Sequence, residues 1–272
     1  MTEIIAITGK GGTGKTTLSG FLIDRLAREG LTPILAVDAD ANANLADVLG
    51  VESDISLAEL RDTINGADMD EDSPIPPGVS KQEWLDSRFQ TAITEEDDYD
   101  LLIMGRTQGK GCYCFVNGLL QSHIAKYAHN YRYLVVDNEA GMEHLSRGVL
   151  PHVDRIFIVS DCSRRGVQAA GRIQELTHEL GLTPKSIDFI VNKAPEELGG
   201  DAVKYEADGR AYDLSGGVAE EIAKQGLALA GVVPADPLVY EYDSAGRPTV
   251  TLPPDAPSRK AFDEILNRIL FR

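Results

Sequence analysis

The feature that most constrains this chain is a short apolar run that leads directly into a glycine-rich loop. Residues EIIAIT (3–8) are followed by GKGGTGKTT (9–17). The loop matches the pattern G-x-x-x-x-G-K-[ST] through Gly9, Gly14, Lys15 and Thr16. A glycine-rich turn lets backbone N–H groups surround an anion, and the following helix adds unpaired N–H groups and a positive dipole end. The sequence therefore predicts a strand, a phosphate-binding loop and a helix in succession.

Strand-like and helix-like segments alternate along the whole chain. The predicted strands are 3–8, 33–38, 100–104, 132–137, 155–160, 186–192 and 229–233. The predicted helices are 15–29, 44–50, 81–93, 117–129, 143–151, 164–181, 217–226 and 256–271. The strand-like runs lack strict polar alternation, which is typical of strands covered on both faces. We therefore predict an α/β fold of the P-loop NTPase class, with a mostly parallel sheet of seven to eight strands and helices on both faces.

The chain shows no Pro/Gly/Ser-rich linker, so we expect a single domain over residues 1–272. Two stretches interrupt the alternation. Residues 52–100 are acidic and predict an excursion over the surface that contains two helices. Residues 203–214 carry Asp208–Gly209 between short alternating runs, a pattern that predicts a β-hairpin.

Composition narrows the class of protein. The formal net charge is −17 at pH 7, which argues against nucleic acid as a partner because phosphate binding needs clustered Lys and Arg. The chain contains 3 cysteines, too few for a disulfide scaffold. No signal-peptide pattern precedes the first strand, and no apolar run reaches the ~20 residues of a membrane span. We therefore expect a cytoplasmic protein with reduced thiols, and no membrane binding.

The loop residues predict a site for ATP or ADP with Mg²⁺. The Lys15 ammonium is suited to the β- and γ-phosphates, and the Thr16 hydroxyl is a magnesium ligand of the usual kind. The predicted nucleotide contacts in the loop are Gly11, Gly12, Thr13, Gly14, Lys15, Thr16 and Thr17.

Lys10 is an additional lysine inside the loop, and alone it would be read as a solvent-exposed side chain. With it, however, GKGGTGKT resembles the deviant Walker A motif of the family that contains MinD, ParA-type partition ATPases and the nitrogenase iron protein. In that family this lysine reaches the nucleotide of the partner subunit and acts like an arginine finger. The resemblance implies an ATPase that forms a nucleotide-promoted homodimer, with Lys10 and Lys15 as catalytic residues.

Two acidic segments agree with this resemblance. AVDADANAN (36–44) places Asp38 and Asp40 after the second strand, at the edge where ligands bind in open α/β sheets. It resembles the family's first switch, in which Asp40 orients the attacking water and Asp38 contacts Mg²⁺ or water; helix capping is the alternative for Asp38. YLVVDNEAG (133–141) ends a strand with Asp137, the Walker B position for Mg²⁺, and Gly141 would sense the γ-phosphate.

The base site rests on the same resemblance. VNK (191–193) places Asn192 where the family reads adenine, although a strand-terminal Asn is also a common turn residue. GVVPADP (231–237) would wrap the base with backbone groups around Pro234 and Asp236.

Two cysteines lie one residue apart in GKGCYCFVNG (109–118). In an extended segment Cys112 and Cys114 would point to the same face, so two thiolates could share one ion at ~2.3 Å each. A disulfide between such close neighbours would be strained and easily reduced. Buried structural cysteines are the other alternative, which suits Cys162 better because the segment around Cys112 offers little apolar cover.

A closed thiolate site needs four ligands, and one pair supplies two. No pair among His123, His129, His144 and His152 completes the set convincingly. A two-fold axis would supply a second pair. We therefore predict a Ni²⁺ or Zn²⁺ site at a homodimer interface.

The deviant Walker A motif, GxGCxC after the third strand and DNEAGMEHLSRG (137–148) together resemble the CooC-type nickel-insertion accessory ATPases. These mature carbon monoxide dehydrogenase, and a similar group serves acetyl-CoA synthase. The resemblance implies an ATP-driven nickel carrier whose client is such an enzyme. The first switch departs from many relatives, since DADANAN lacks a proline after its second Asp.

Three other functions remain open on the sequence: a positioning ATPase of the MinD/ParA type, an iron–sulfur electron-transfer ATPase, and an ATP-gated adaptor without hydrolysis. The C-terminal segment is amphipathic, which permits a membrane anchor. A core stripe is the favoured interpretation of its apolar residues, Phe262, Ile265, Leu266, Ile269 and Leu270. The electron-transfer family spaces its cluster cysteines far apart, unlike this CxC pair.

Overall fold

The structure is a computed structural model that describes residues 2–53, 55–67, 75–106, 114–141, 150, 152–195, 204–207, 210–214 and 217–271. The strands are β1 (Glu3–Gly9), β2 (Ile34–Ala39), β3 (Ile93–Glu95), β4 (Asp100–Ile103), β5 (Tyr133–Asn138), β6 (Arg155–Asp161), β7 (Ser186–Ala194), β8 (Lys204–Ala207), β9 (Arg210–Asp213) and β10 (Leu229–Pro234). The helices are α1 (Lys15–Arg28), α2 (Leu45–Leu49), α3 (Leu57–Ala67), α4 (Lys81–Thr91), α5 (Cys114–Tyr127), α6 (Arg164–Glu179), α7 (Val218–Lys224), α8 (Pro237–Ser244) and α9 (Pro257–Ile269).

Eight strands form one sheet in the order β10-β7-β6-β1-β5-β2-β4-β3. All neighbouring strands are parallel except β3 and β4, which are antiparallel. The carboxyl ends of β1, β2, β4 and β5 therefore meet at one edge of the sheet. This edge is where the phosphate loop, both predicted switches and the chain leading to the cysteine pair leave the sheet.

The sheet is covered on both faces because its strands are apolar on both sides. In β1, Ile4 and Ala6 belong to one core cluster, and Ile5 and Ile7 belong to the other. Helices α3, α4, α5, α6 and α7 contribute buried residues to the first cluster, and α1, α2 and α9 to the second. The predicted fold class, a P-loop NTPase with a mostly parallel sheet between two helical layers, is confirmed.

The acidic stretch 52–100 is more deeply built into the molecule than the predicted surface excursion. Its two helices exist as α3 and α4, and Leu57, Trp84 and Phe89 are buried in the first core cluster. Ser80 begins α4 with a reciprocal capping box, in which Ser80 and Glu83 bond each other's backbone N–H. The acidic composition predicts a surface position for this stretch. It is nevertheless compatible with burial of one face, because a helix can carry charge on its outer face and apolar residues on its inner face.

The hairpin at 203–214 is present as antiparallel β8 and β9. Helix α8 was not predicted; it begins with Pro237 after the side chain of Asp236 caps Leu238 N. The predicted helix 143–151 lies almost entirely outside the described residues. Within the described part of the chain, no helix has the length and apolarity that crossing a membrane requires.

The C-terminal helix confirms the predicted core stripe. Phe262, Ile265 and Leu266 are fully buried, and Ile269 and Leu270 pack partly buried against the same cluster. The apolar face of α9 is therefore used inside the molecule.

Candidate nucleotide-binding site

The conformation of the phosphate loop depends on Gly9 and Gly14, two positions at which a side chain would introduce strain. Gly14 precedes α1 with φ 87°, in the left-handed region. Gly9 has φ 150°, and a Cβ there would lie 2.0 Å from the carbonyl oxygen of Val159 on β6. These positions bring the loop backbone close to its neighbours and direct the chain into the first turn of α1.

Lys15 points into the centre of this loop. Its side chain is 7% exposed, and its Nζ lies 3.4 Å from the carbonyl oxygen of Lys10. Burial lowers the pKa of Lys15, and the opposite charges of Asp137, Asp40 and Glu139 act against that shift. Three carboxylates thus act on the Lys15 ammonium through their charge.

Asp137 stands at the end of β5 and is 1% exposed. Its Oδ1 accepts a hydrogen bond from the Ser19 hydroxyl at 3.0 Å, whereas its Oδ2 is buried without a well-formed hydrogen bond among the described residues. Burial raises the pKa of Asp137 to about 6, and the hydroxyls of Thr16 and Ser19 oppose the rise. An orphaned carboxylate oxygen beside a threonine hydroxyl is the hard-oxygen donor set that Mg²⁺ prefers.

Asp38 lies next to Asp137 in register on β2, and it is fully buried. Its two carboxylate oxygens accept the backbone N–H groups of Asp40 at 3.0 Å and Leu45 at 2.8 Å. Burial raises the pKa of Asp38 to about 7, and the charge of Asp137 adds to the rise. The geometry gives Asp38 a loop-holding role that includes the start of α2, so its magnesium contact stays a prediction.

A polar cavity of about 480 Å³ lies over the loop, and two of the three predicted catalytic residues, Lys15 and Asp40, line it, whereas Lys10 does not. Asp40 reaches it from the first switch, where its Oδ1 accepts two hydrogen bonds from Asn42. The other lining residues are Gly11, Gly12, Gly14, Lys15, Thr16, Asn42, Asn44, Glu139, Ala140, Lys193 and Asp243. This cavity has the size, glycine lining and lysine that a triphosphate requires.

The second switch is tied to the phosphate loop through Gly141. Its N–H donates to the carbonyl oxygen of Gly9 at 3.2 Å, and its own carbonyl accepts the hydroxyl of Thr8. Gly141 has φ 102°, a conformation that suits glycine. The second switch and the start of the phosphate loop are therefore joined by direct hydrogen bonds.

A second cavity of about 390 Å³ adjoins the first and contains the predicted base-binding residues. Leu18, Phe21, Asn192, Pro234, Asp236 and Tyr240 are among its lining residues. The cavity is mostly apolar with a few polar groups, as expected for a nucleobase site.

Two of these predicted residues are engaged by the protein itself. The Asn192 amide donates to the carbonyl of Thr13 at 2.8 Å and accepts from Lys193 N at 2.9 Å. The Asp236 carboxylate caps α8 at Leu238 and also binds Ser258. Asp236 can therefore face a base only through its backbone, whereas Asn192 keeps one amide hydrogen for it.

Three further residues that the sequence does not predict as site residues lie at the two cavities or contact Asp137. Lys193 lines both cavities, and Glu139 lies beside Lys15 in the phosphate cavity. Ser19 holds Asp137 from one turn beyond the loop motif. The tripeptide VNK and the run DNEAG already contained two of these residues, but nothing in their local pattern signals a contact with the loop.

The remaining predicted residues have the following positions. Lys10 is exposed, with its carbonyl taken by Thr13 Oγ1 at 2.8 Å. Cys112 lies outside the described residues, and Cys114 is the first residue of α5, so the extended geometry expected for the pair does not apply to Cys114. Among the described residues, no cluster of three or more His, Cys, Asp or Glu side chains could hold a metal ion.

Comparisons with known proteins agree with this geometry. The family model of an AAA domain matches residues 2–188. The chain is 38% identical over 267 residues to an uncharacterized ATP-binding protein of Methanocaldococcus jannaschii, covering 98% of each chain. It is 32% identical over 236 residues to the carbon monoxide dehydrogenase accessory protein CooC of Rhodospirillum rubrum, covering 84% of this chain and 88% of that protein.

Among solved structures, the septum site-determining protein MinD of Pyrococcus horikoshii, complexed with Mg-ADP, superimposes with a TM-score of 0.66. The two share 22% sequence identity, and the match covers 99% of this chain and 96% of that one. At this identity the likeness concerns the fold.

Proposed function

The chain belongs to the AAA-domain family of P-loop ATPases, and we propose that it uses ATP hydrolysis to carry nickel to a nickel enzyme during maturation. The client would be carbon monoxide dehydrogenase or acetyl-CoA synthase. Support comes from the cysteine pair Cys112 and Cys114 and from the 32% identity to an accessory protein of carbon monoxide dehydrogenase. Zn²⁺ would bind the same thiolates, since four sulfur ligands suit both ions.

The observation that carries the proposal is where the cysteine pair stands in the chain. It follows β4, whose last residue Ile103 is in register with Asp38. Asp38 is in turn in register with Asp137. The segment that leads to the cysteines thus leaves the sheet at the same edge as the phosphate loop and both switches. Hydrolysis of the nucleotide would therefore change the structure close to the point where the segment that carries the cysteines begins.

The hydrolytic step converts ATP and water to ADP and phosphate. Lys15 binds the β- and γ-phosphates, and Asp40 accepts a hydrogen bond from the attacking water and orients it. Thr16 and Asp137 would hold Mg²⁺, which, when bound, neutralises the negative charge of the phosphates. Gly11, Gly12 and Gly14 would present backbone N–H groups to the phosphate oxygens, and Gly141 of the second switch bonds Gly9 at the start of the same loop.

The metal site requires a second copy of the chain. Lys10 is exposed at the rim of the phosphate loop, so it is available to a nucleotide bound by a partner. A homodimer closed by ATP would place the partner's Lys10 near the transferred phosphoryl group. The same two-fold axis would bring two cysteine pairs together around one ion, giving the four thiolates that a closed site needs.

The cysteine assignment is tested by replacing Cys112 and Cys114 with Ser together. We expect metal binding in the presence of a non-hydrolysable ATP analogue to fall from one ion per dimer to none, with unchanged ATP affinity. Cys162→Ser is the matched control, because Cys162 lies after β6 on a different part of the sheet, and it should retain the metal. Undiminished metal stoichiometry in the double variant, measured by elemental analysis, would refute the carrier function.

The dimer assignment is tested by Lys10→Ala. Hydrolysis should drop by about 10³-fold if this lysine acts like an arginine finger, while nucleotide affinity stays within a few fold. Lys260→Ala removes an exposed lysine of α9 and serves as the control. Wild-type turnover by the Lys10 variant would contradict the nucleotide-sandwiched dimer.

A positioning ATPase of the MinD type is the second candidate, and the likeness in fold favours it. Such a function on membranes would need an exposed amphipathic element, yet α9 buries its apolar stripe. Co-sedimentation with anionic liposomes in the presence of ATP separates the two candidates. ATP-dependent sedimentation would favour positioning, and its absence together with metal binding would favour the carrier.

A further inference from the structure

Lys193 adopts an unusual backbone conformation at the end of β7. Its φ is 56°, in the left-handed region, and among the described non-glycine residues only Ala43 shares this feature. Such a conformation costs a β-carbon residue about 1 kcal/mol and persists where the surroundings fix it. The register between β7 and β10 shifts at this point, since Val191 pairs with Val232 and Ala194 with Pro234. Lys193 is thus a kink between two paired segments.

The kink allows two successive side chains to reach two successive carbonyls of the phosphate loop. Lys193 Nζ donates to the carbonyl oxygen of Gly12 at 2.9 Å, and Asn192 Nδ2 donates to that of Thr13 at 2.8 Å. The Asn192 side chain also accepts the N–H of Lys193, which stabilises the turn itself. The end of β7 is therefore fastened to the loop by two adjacent hydrogen bonds, one of them charged.

These bonds fix the orientation of the loop peptides. A loop that binds an anion must direct its N–H groups inward, so its carbonyls must point away and find donors of their own. The carbonyl of Lys10 is held by Thr13 Oγ1, and those of Gly12 and Thr13 are held by Lys193 and Asn192. Without the Lys193 ammonium, the Gly12 carbonyl would lose its donor, and the peptide between Gly12 and Thr13 could rotate.

Lys193 also occupies the junction of the two cavities. It lines both the apolar cavity and the phosphate cavity, and its Cε would lie 3.5 Å from a Cβ placed on Gly14. A nucleotide that fills both cavities must pass beside this side chain. The methylene stem thus forms part of the wall between the two cavities, where the sugar and the first phosphate would lie, while the charged end bonds the loop.

We propose that Lys193 is a positioning residue for nucleoside triphosphates, which keeps the phosphate loop in its anion-binding shape and closes the wall between the base and phosphate cavities. The inference rests on the nucleotide site of this ATPase and not on metal carriage. Lys193 acts through Gly12 and takes no part in the bond that is broken. Its loss should weaken binding of ATP and ADP alike, because both contain the phosphates that the loop surrounds.

The test compares Lys193→Ala, Lys193→Arg and Lys193→Gly with wild type. We expect Lys193→Ala to weaken ADP and ATP about 10- to 100-fold, since a hydrogen bond from a charged donor is lost. KM for ATP should rise by a similar factor, with kcat changed by less than about threefold. Lys193→Arg should recover most of the affinity because its guanidinium can donate to the same carbonyl.

Lys193→Gly separates positioning from a general effect on folding. Glycine accepts a positive φ without strain, so this variant should unfold at the same or a higher temperature than wild type while binding nucleotide as poorly as Lys193→Ala. Lys260→Ala is the exposed-lysine control. Wild-type ADP affinity in Lys193→Ala, measured by calorimetry, would overturn the proposal, as would Lys193→Gly with restored affinity, because backbone strain alone would then be responsible.

Failure of this proposal and failure of the carrier function give different results. Lys193 variants are read by ADP affinity without any transition metal, whereas the Cys112 and Cys114 variants are read by metal stoichiometry at saturating nucleotide. A protein that binds no nickel would leave the effect of Lys193 on ADP intact.

Discussion

Buried carboxylates have opposite environments at the carboxyl edge of the sheet, where the parallel strands end, and at the amino edge, where they begin. At the carboxyl edge, Asp38 and Asp137 lie side by side, and burial raises their pKa values to about 7 and about 6. At the amino edge, Asp154 accepts the N–H of Ile4 at 2.8 Å and lies 3.0 Å from Lys185 Nζ. Burial alone would raise the pKa of Asp154, but these partners lie so close that its pKa is lowered.

This difference in environment indicates that the charged groups of the amino edge stabilise the fold, whereas those of the carboxyl edge are suited to binding a ligand. The amino edge supplies its carboxylate with a cation and a backbone donor, so that the ends of β1, β6 and β7 are joined. The carboxyl edge leaves Asp137 Oδ2 without a hydrogen-bond partner among the described residues, and it exposes Lys15 to the charges of three carboxylates. A phosphate and a divalent cation would complete both sets of charges, so this edge is prepared for ligands at the expense of stability.

Between the two edges, the largest expected difference comes from exchanging a lysine at each edge for alanine. Lys15→Ala should lower ATP hydrolysis by about 10²- to 10³-fold, because its buried ammonium lines the cavity in which the phosphates would bind. Lys185→Ala removes an exposed ammonium from Asp154 and should leave hydrolysis unchanged. Steady-state phosphate release from both variants checks the comparison. Equal losses at both edges would show that a general structural effect governs activity.

A second comparison exchanges the aspartates, and here the two edges should respond with opposite sign. Asp137→Asn removes the repulsion between two buried carboxylates, so the nucleotide-free protein should gain about 1–3 kcal/mol at pH 8. Asp154→Asn weakens the hydrogen bond to Ile4 and the contact with Lys185, and should cost about 1–3 kcal/mol. Thermal unfolding without nucleotide should shift by about 2–4 °C per kcal/mol in these directions.

Magnesium provides the control for that pair. Wild type and Asp154→Asn should both be stabilised further by Mg-ATP, whereas Asp137→Asn should show little additional effect of Mg²⁺ over ATP alone. A lower unfolding temperature for nucleotide-free Asp137→Asn would mean that the carboxylate is structurally required, and the contrast between the edges would fail.

The sequence predicts which strands and which loop form the carboxyl edge far better than it predicts the side-chain contacts within that edge. The strands were visible because Ile4 to Ile7 and their counterparts form continuous apolar runs, and the loop was visible because its glycines and Lys15 have fixed spacing. The bond from Lys193 to Gly12 joins residues 181 positions apart, so no local pattern contains it. Strand β3 has 3 residues, too few to show a period.

Some residue types also serve two purposes that a sequence cannot distinguish. An aspartate after a strand suits both a magnesium ligand and a holder of backbone N–H groups. Asp137, with an oxygen left over, has the geometry of the first, and Asp38, with both oxygens occupied, has that of the second. Only the packing around each carboxylate separates these cases.

His123 extends the comparison to a buried ionisable group outside both edges, and the expected effect is the smallest. Its ring is 2% exposed and stacks on Phe89 of α4 with 3.6 Å between ring centroids. Its Nε2 lies 3.2 Å from Asp86, and its Nδ1 has no hydrogen-bond partner among the described residues. Burial lowers the pKa of His123, and the charge of Asp86 opposes this shift while that of Lys126 adds to it.

Because the folded pKa lies below the unfolded value, the unfolded chain binds the proton more readily as the pH falls below about 6.5. His123 should therefore reduce the free energy of unfolding by up to about 1 kcal/mol between pH 7 and pH 5. His123→Phe keeps a stacked ring but cannot titrate, so its stability should depend less on pH over this range. His129→Gln, at an exposed position, should follow wild type. Denaturant unfolding at both pH values decides the matter. The same pH dependence for wild type and His123→Phe would show that the contact with Asp86 is enough to remove the proton-linked cost of burying this ring.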